Sequence, residues 1–150
     1  MKKRRIFIGA DSAGFALKEE VISHLKEHGY EVNDCGAYSA ESSHYPVFAD
    51  AVCRGVMEDL TGSFGILICG TGIGMSMCAN KHRGIRAALC ADTFSAKMTR
   101  AHNDANVICL GARVTGSFLA IEILDAFLAS EFEGGRHALR VDMMMDLENK

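Results

Sequence analysis

Residues 64–74 read FGILICGTGIG, an apolar run followed by a turn with glycines at positions 70, 72 and 74. The run has the length and composition of a strand buried inside a parallel sheet. The glycines allow the strand to turn sharply into a helix and leave backbone N–H groups free to converge on an anion. A strand, a glycine-rich turn and a helix in this order are typical of α/β proteins.

The same alternation extends to both sides of this segment. Apolar or β-branched runs predict five strands, at residues 5–9, 31–34, 64–69, 85–90 and 107–110. Apolar residues at helical spacing predict amphipathic helices between the strands: Leu17, Val21, Ile22 and Leu25 in one, and Ile121, Leu124, Phe127 and Leu128 in another. Residues 135–150 are predicted to add a last helix, whose Met143, Met144 and Met145 pack against the core or a partner. The expected fold is a single α/β domain over residues 1–150, doubly wound and Rossmann-like, with a five-stranded parallel sheet and helices on both faces.

Composition argues against several classes of function. A net charge of −3 with interspersed acids and bases gives no basic face for nucleic acid. No apolar run approaches the roughly 20 residues of a membrane span, so we expect neither a membrane protein nor a secreted one. The six cysteines form no CxxC pair and no zinc-type spacing, which predicts reduced thiols in the cytoplasm and no metal. The expected partner is a small molecule.

Ligands of open parallel sheets bind beyond the carboxyl ends of the strands. The turn after the first predicted strand contains Asp11 and Ser12 between glycines. Asp11 could bind a sugar hydroxyl or cap the next helix, and the pattern taken alone favours the cap.

Cys69 ends the third predicted strand and faces the glycine turn. Convergent N–H groups and a helix start favour the thiolate, so we interpret Cys69 as functional. A thiolate base and a set of N–H donors are what aldose–ketose isomerisation needs, because a proton must move between C2 and C1 through an enediolate. Thr71 could relay a proton between the two oxygens or only satisfy backbone groups. The remaining cysteines are interpreted as structural: Cys35, Cys53, Cys78, Cys90 and Cys109.

Three arginines and a histidine are further candidates. Arg136 and Arg140 lie one helical turn apart, with Arg113 after the fifth strand as a possible third. An oxyanion such as phosphate would explain the pair, and so would a solvated surface. His102 could act in acid–base catalysis, although a histidine at a helix end by itself favours a role in complementing the helix dipole.

Three motifs occur together in this chain: CGTGIG at 69–74, HNDAN at 102–106 and GGRH at 134–137. With IGADSAGFALKEEV and SSHYPVFAD, they make nearly the whole chain similar to the type B ribose-5-phosphate isomerases, a family that includes galactose-6-phosphate and allose-6-phosphate isomerases. The resemblance implies a cofactor-free isomerase of the pentose phosphate pathway. It implies Cys69 as base, Thr71 as hydroxyl relay and His102 as the group that opens the sugar ring. The residues that it implies in substrate binding are Asp11, Ser12, Gly70, Gly72, Ile73, Gly74, Asn103, Arg113, Arg136 and Arg140.

One residue departs from the family pattern. The family usually has Asp-His after the first strand, whereas this chain has Asp11-Ser12. Serine donates a hydrogen bond but carries no charge, so a six-carbon substrate, allose 6-phosphate or galactose 6-phosphate, remains an alternative to ribose 5-phosphate.

Two other classes of protein are consistent with parts of the pattern. Gly70, Gly72 and Gly74 with Asp92 could indicate a dinucleotide-binding oxidoreductase, although the glycine loop follows the third strand rather than the first. A sugar-phosphate sensor without catalysis would keep the arginines and the loop but would not need a thiol at position 69.

Strand direction predicts a homodimer, possibly a tetramer, with shared sites. Cys69 ends a strand, whereas His102 ends a helix that returns to begin the next strand. The two residues therefore lie at opposite edges of the sheet, so His102 is expected to serve the partner subunit's Cys69.

Overall fold

The computed structural model describes residues 2–150 as alternating strands and helices. The strands are β1 (Arg5–Ala10), β2 (Val32–Asp34), β3 (Ser63–Cys69), β4 (Ala87–Leu89) and β5 (Val107–Gly111). The helices are α1 (Phe15–Glu27), α2 (Tyr45–Glu58), α3 (Ile73–Ala79), α4 (Thr93–Asn103), α5 (Ser117–Leu128) and α6 (Arg136–Asp146), with a 3-10 turn at Leu147–Asn149. Within this described part of the chain, none of the helices combines the length and apolarity that a membrane crossing requires.

The five strands form one sheet in the order β2-β1-β3-β5-β4, and every neighbouring pair is parallel. The chain winds outward from β1 to β2 on one side and from β3 to β4 on the other. This reversal of direction leaves a crevice between the carboxyl ends of β1 and β3, where ligands bind in sheets of this type. The predicted doubly wound parallel fold is confirmed.

Two apolar cores cover the two faces of the sheet. One core contains residues of α1, α4 and α5, and the other contains residues of α2 and α3. Along β3, Ile66 and Ile68 belong to the first core, whereas Leu67 and Cys69 belong to the second. This is the alternation that a pleated strand imposes, and it directs the Cys69 side chain toward the α2–α3 layer.

Two elements differ from the sequence prediction. Strand β4 covers Ala87–Leu89 rather than residues 85–90, and the Asn80 side chain bonds both backbone groups of Ala87, at 2.8 Å to its N–H and 3.0 Å to its carbonyl. These bonds replace a second strand at the sheet edge.

The buried stripe of α5 is Ala120, Ile123, Leu124 and Phe127, with the predicted Ile121 and Leu128 only half-buried. A prediction based on large apolar residues misses Ala120, whose small side chain lets the helix approach the sheet.

Helix α6 begins after Gly134 and Gly135, which have positive φ angles of 70° and 56°, and it packs against α4. Its Met143 and Met144 are 62% and 41% exposed. Met143 and Met144 therefore do not pack against the core of their own chain, whereas Met145 is half-buried, and packing against a partner remains a prediction.

The turn between β1 and α1 approaches β3 so closely that it requires a residue without a side chain. A Cβ atom added at Gly14 would lie 2.4 Å from the carbonyl oxygen of Ile68. We expect Gly14→Ala to lower the free energy of unfolding by about 1–3 kcal/mol, the usual cost of overpacking. Denaturant unfolding measures this loss.

Gly116→Ala is the matched control, because Gly116 also precedes a helix as its N-cap and a Cβ atom there would meet nothing within 4 Å. It should change stability by no more than about 0.5 kcal/mol, as expected at an unconstrained surface position. Equal losses in the two variants would contradict the steric explanation.

Candidate active site

The crevice between β1 and β3 brings together three turns at the carboxyl edge of the sheet. Ala10 pairs with Ile68, so the turn at Asp11 lies beside the end of β3. Cys69 pairs with Gly111 at the end of β5, and the N–H of Arg113 donates to the Gly70 carbonyl at 2.9 Å. The structure therefore places Asp11, Cys69 and Arg113 around one opening, each just beyond the end of its strand.

The sulfur of Cys69 accepts a backbone hydrogen bond from within its own loop. The N–H of Gly72 donates to Sγ at 3.1 Å, and such a bond stabilises negative charge on sulfur. Gly72 has a φ of 80°, a conformation that glycine adopts at little cost. The loop therefore holds the Cys69 sulfur against a backbone donor at the mouth of the crevice.

The fully buried cysteines differ from this arrangement. Burial raises the pKa of Cys53 to about 12 and the pKa of Cys90 to about 11. Burial also raises the pKa of Cys109 well above its ordinary value. These thiols are protonated at neutral pH, in agreement with a structural role. All six cysteines are free.

Thr71 organises the same loop. Its Oγ1 accepts a hydrogen bond from the N–H of Ile73 at 3.2 Å, and the side chain is exposed. The hydroxyl hydrogen of Thr71 can therefore rotate to donate to an acceptor atom of a bound ligand. Because Gly72 and Ile73 already donate to Cys69 and Thr71, the loop amides that remain as candidate donors to an oxyanion are those of Gly70, Thr71 and Gly74.

Close packing fixes this loop in place. A Cβ atom at Gly111 would lie 2.6 Å from the Thr71 carbonyl oxygen, and one at Gly74 would lie 2.5 Å from the ring of Tyr45. Tyr45, the first residue of α2, thus covers the glycine loop, and in the segment before α2 the Ser43 hydroxyl accepts a hydrogen bond from the Ser12 N–H at 3.1 Å. Ser43 and Tyr45 are site residues that the sequence analysis did not identify. Their position soon after β2, at the carboxyl edge, is the signal that could have indicated them.

Asp11 closes the turn after β1. Its Oδ1 accepts a hydrogen bond from the Gly14 N–H at 3.1 Å, whereas the N-cap of α1 is Gly14 and has no side-chain cap bond. Asp11 therefore caps the turn at residues 11–14 that leads into α1, and not the first turn of the helix itself. Among residues 2–150 only Oδ1 of Asp11 accepts a side-chain hydrogen bond, which leaves Oδ2 to accept from a ligand, and both Asp11 and Ser12 are half-buried.

The other predicted residues form a second cluster, where the end of α4 meets the start of α6. The His102 ring stacks on the His137 ring at 4.1 Å between centroids. Desolvation lowers the pKa of His137, and the neighbouring His102, Arg136 and Arg140 lower it further. His102, Arg136 and Arg140 therefore lie close to His137, with the Glu133 carboxylate beside the two histidines, and Asn103 follows His102 as the last residue of α4. Within the chain, Arg113 is not part of this group.

The two clusters occupy opposite edges of the sheet. Val107, which follows the α4–β5 turn, pairs with Gly65, whereas Gly111 pairs with Cys69. The beginning of β5 at Val107 and its end beside Cys69 are four residues apart, which is about 13 Å along the strand at 3.3 Å per residue. A cavity of about 820 Å³ near α4 and α6 is lined by Asn103, Arg86 and Met144 but by no residue of the Cys69 loop. Within one chain the predicted site residues therefore fall into two separate groups.

Comparison with known proteins identifies this combination of fold and motifs. The family model described as Ribose/Galactose Isomerase matches residues 6–144. The chain belongs to this isomerase family. Ribose-5-phosphate isomerase B of Escherichia coli K12 is 46% identical over 147 residues, which cover 98% of each chain.

Solved structures of family members agree with the fold. Ribose-5-phosphate isomerase B of Clostridium thermocellum is 48% identical, covers 97% of each chain and has a TM-score of 0.94. The Mycoplasma genitalium enzyme, whose structure contains bound ribulose 5-phosphate, is 40% identical and has a TM-score of 0.95, with coverage of 100% of this chain and 99% of that one. All three relatives are named ribose-5-phosphate isomerases, so the dinucleotide-binding alternative has no support among them.

Proposed function

We propose that this protein is an aldose–ketose isomerase that interconverts ribose 5-phosphate and ribulose 5-phosphate by proton transfer at Cys69. The observation that carries the proposal is near-full-length similarity to ribose-5-phosphate isomerases, one of them with ribulose 5-phosphate bound. The Cys69 loop supports the mechanism, because a sulfur that accepts a backbone N–H bond lies beside further amide donors.

In the proposed reaction the Cys69 thiolate removes the proton from C2 of the open-chain aldose. The electrons of that C–H bond form the C1–C2 double bond of an enediolate, and the negative oxygen is stabilised by loop amides. The thiol then returns the proton to C1, which gives the ketose. Thr71 transfers the hydroxyl proton from O2 to O1, so that atoms and charge balance over the cycle.

Ribose 5-phosphate exists mainly as a closed furanose, so its ring must open before C2 can be deprotonated. We assign this step to His102, whose imidazole can exchange a proton with the ring oxygen and the anomeric hydroxyl. Because the His102 and Cys69 clusters lie at opposite sheet edges, the His102 that serves a given Cys69 belongs to a second copy of the chain.

The active protein is accordingly proposed to be a homodimer with two equivalent shared sites. Arg113 beside the Cys69 loop and the partner subunit's Arg136 and Arg140 would bind the phosphate. Exposed apolar side chains on and near α6, Leu139, Met143, Met144 and Leu147, support an interface there. Free thiols support a reducing compartment, the cytoplasm.

A six-carbon sugar phosphate is the second candidate substrate, because Ser12 replaces the family's usual histidine beside Asp11. The test is ketose formation from ribose 5-phosphate, allose 6-phosphate and galactose 6-phosphate, compared by kcat/KM. The proposal expects the highest value for ribose 5-phosphate. A higher value for either hexose phosphate would reassign the substrate, and no turnover of any of the three would refute the isomerase.

Arg136→Ala and Arg140→Ala should each raise KM for ribose 5-phosphate about tenfold or more, since a hydrogen bond to a charged group contributes about 1.5–3 kcal/mol. The phosphate is remote from C1 and C2 and is held similarly in ground and transition states, so kcat should change less. Arg54→Ala is the control, because the Arg54 side chain is 75% exposed on α2 and pairs with Asp50. Unchanged KM in both variants would make Arg136 and Arg140 ordinary surface residues.

A further inference from the structure

His102 belongs to a second arrangement of chemical groups besides the proposed sugar site. Glu133, in the loop before α6, and His137, in the first turn of α6, lie next to it. One ligand atom from each of these three side chains falls within 4.8 Å of the other two. Two imidazoles and a carboxylate are the ligand set of many transition-metal sites.

The inner histidine has an unused ring nitrogen. His137 is 7% exposed, and among residues 2–150 its Nε2 has no hydrogen-bond partner. Glu133 Oε2 lies 3.8 Å from His137 Nε2 and 3.8 Å from His102 Nε2, too far for a hydrogen bond in either case. Buried polar atoms in proteins are nearly always satisfied, so an orphan nitrogen that faces a carboxylate is a candidate ligand atom.

Backbone bonds hold the three groups on one framework. The N–H of Glu133 donates to the Ala101 carbonyl at 3.0 Å, which joins the loop to the last turn of α4. The N–H of His137 donates to the Gly134 carbonyl at 3.0 Å, so the start of α6 is joined to the same loop. The cluster therefore rests on two packed helices and a short tied loop, the kind of support that a metal site requires.

We propose that His102, Glu133 and His137 bind one divalent transition-metal ion, with zinc as the best fit. A tetrahedral ion with bonds of about 2.1 Å requires ligand atoms about 3.4 Å apart, so the observed 3.8 Å separations need only small movements. The two rings, now 8° from parallel, must tilt to direct both lone pairs at one ion. The His102 side chain is 37% exposed and has room to turn.

The electrostatic surroundings set the strength of the site. Glu133 supplies the negative charge, with its Oε2 3.8 Å from the Nε2 atom of each histidine. Arg136 and Arg140 repel a cation. Three protein ligands also leave one position open to water. We therefore expect reversible binding, weaker than that of a closed structural zinc site.

Metal binding has a consequence for activity that rests on the proposed function. An ion at His102 Nε2 removes the lone pair that ring opening uses, so zinc should inhibit conversion of the closed sugar. Binding of zinc would then inhibit the isomerase, and release of zinc would restore its activity.

Calorimetric titration of the purified protein with Zn²⁺ tests the site, with binding measured separately from turnover. Wild type should bind one ion per chain, and Glu133→Gln should weaken binding at least tenfold. Glu131→Gln is the matched control, since Glu131 is an exposed carboxylate on the same loop, and it should bind as wild type does. Equal affinity in Glu133→Gln and wild type would overturn the proposal.

Thiols are the main competitor for zinc, so the titration is repeated with Cys69→Ala and with Co²⁺, whose thiolate complexes have an intense charge-transfer absorption. Cys69→Ala should retain the ion, and bound Co²⁺ should lack that absorption. Loss of binding in Cys69→Ala would refute the site.

Turnover assays complete the test, with each variant compared with its own metal-free rate. Zinc inhibition should persist in Glu131→Gln and disappear in Glu133→Gln, whereas a protein that binds zinc as predicted but does not isomerise ribose 5-phosphate would contradict only the proposed function.

Discussion

Replacing Cys69 with alanine is expected to lower the turnover of ribose 5-phosphate by about a hundredfold or more, the lower range for loss of a general base. The proposed phosphate contacts and the amides of Gly70, Thr71 and Gly74 make no bond to the thiol, so substrate should still bind. Steady-state kinetics, together with binding measured by calorimetry, separates the two effects. Near-normal turnover would exclude a thiol mechanism.

Two further variants sharpen this experiment. Cys69→Ser keeps an acceptor for the Gly72 N–H but replaces the thiol with a far weaker acid, so it should be nearly as inactive as the alanine variant. Cys78→Ala is the control, because Cys78 is a half-buried thiol on the neighbouring α3 and should tolerate the change. If serine restored turnover, the role of position 69 would be to hold the loop rather than to move a proton.

Mixed dimers of Cys69→Ala and His102→Ala chains are expected to regain activity that neither parent has. Each hybrid contains one site with both lesions and one intact site, made from Cys69 of one chain and His102 of the other. Random pairing after joint unfolding and refolding makes about half of the dimers hybrids, so roughly a quarter of wild-type activity should return. The assay compares this mixture with the average of the two parents refolded separately.

A mixture of Cys69→Ala with Thr71→Ala is the control for this recovery. Both residues belong to the loop after β3, so every site in a hybrid of these two variants still carries a lesion, and no activity should return. Recovery in this control would point to refolding artefacts. Absence of recovery in the Cys69 and His102 mixture would mean that both residues act within one chain, against the separation seen along β3 and β5.

Most of the fold could be predicted from local pattern. Strand β3 and its glycine turn were identified because a buried parallel strand is continuously apolar and because glycines mark the turn into a helix. The errors occurred where side chains from elsewhere decide the outcome. The Asn106 side chain accepts the Arg86 N–H just before β4 begins at Ala87, and the small Ala120 lies inside the α5 stripe although large apolar residues define the pattern.

For the site, the sequence by itself determined which chemical groups are present and at which sheet edge each one lies. Strand direction follows from βαβ alternation, and it was enough to separate Cys69 from His102. The assignment of roles to these residues remains a prediction.

Only the tertiary structure decided which groups meet. It placed the Gly72 amide on the Cys69 sulfur, brought Tyr45 over Gly74 and aligned His102, Glu133 and His137. Sequence pattern records the periodicity of one element at a time. Contacts between residues far apart in sequence depend on how helices pack over the sheet and over one another, and that packing is set by the summed shape of many side chains rather than by any local motif.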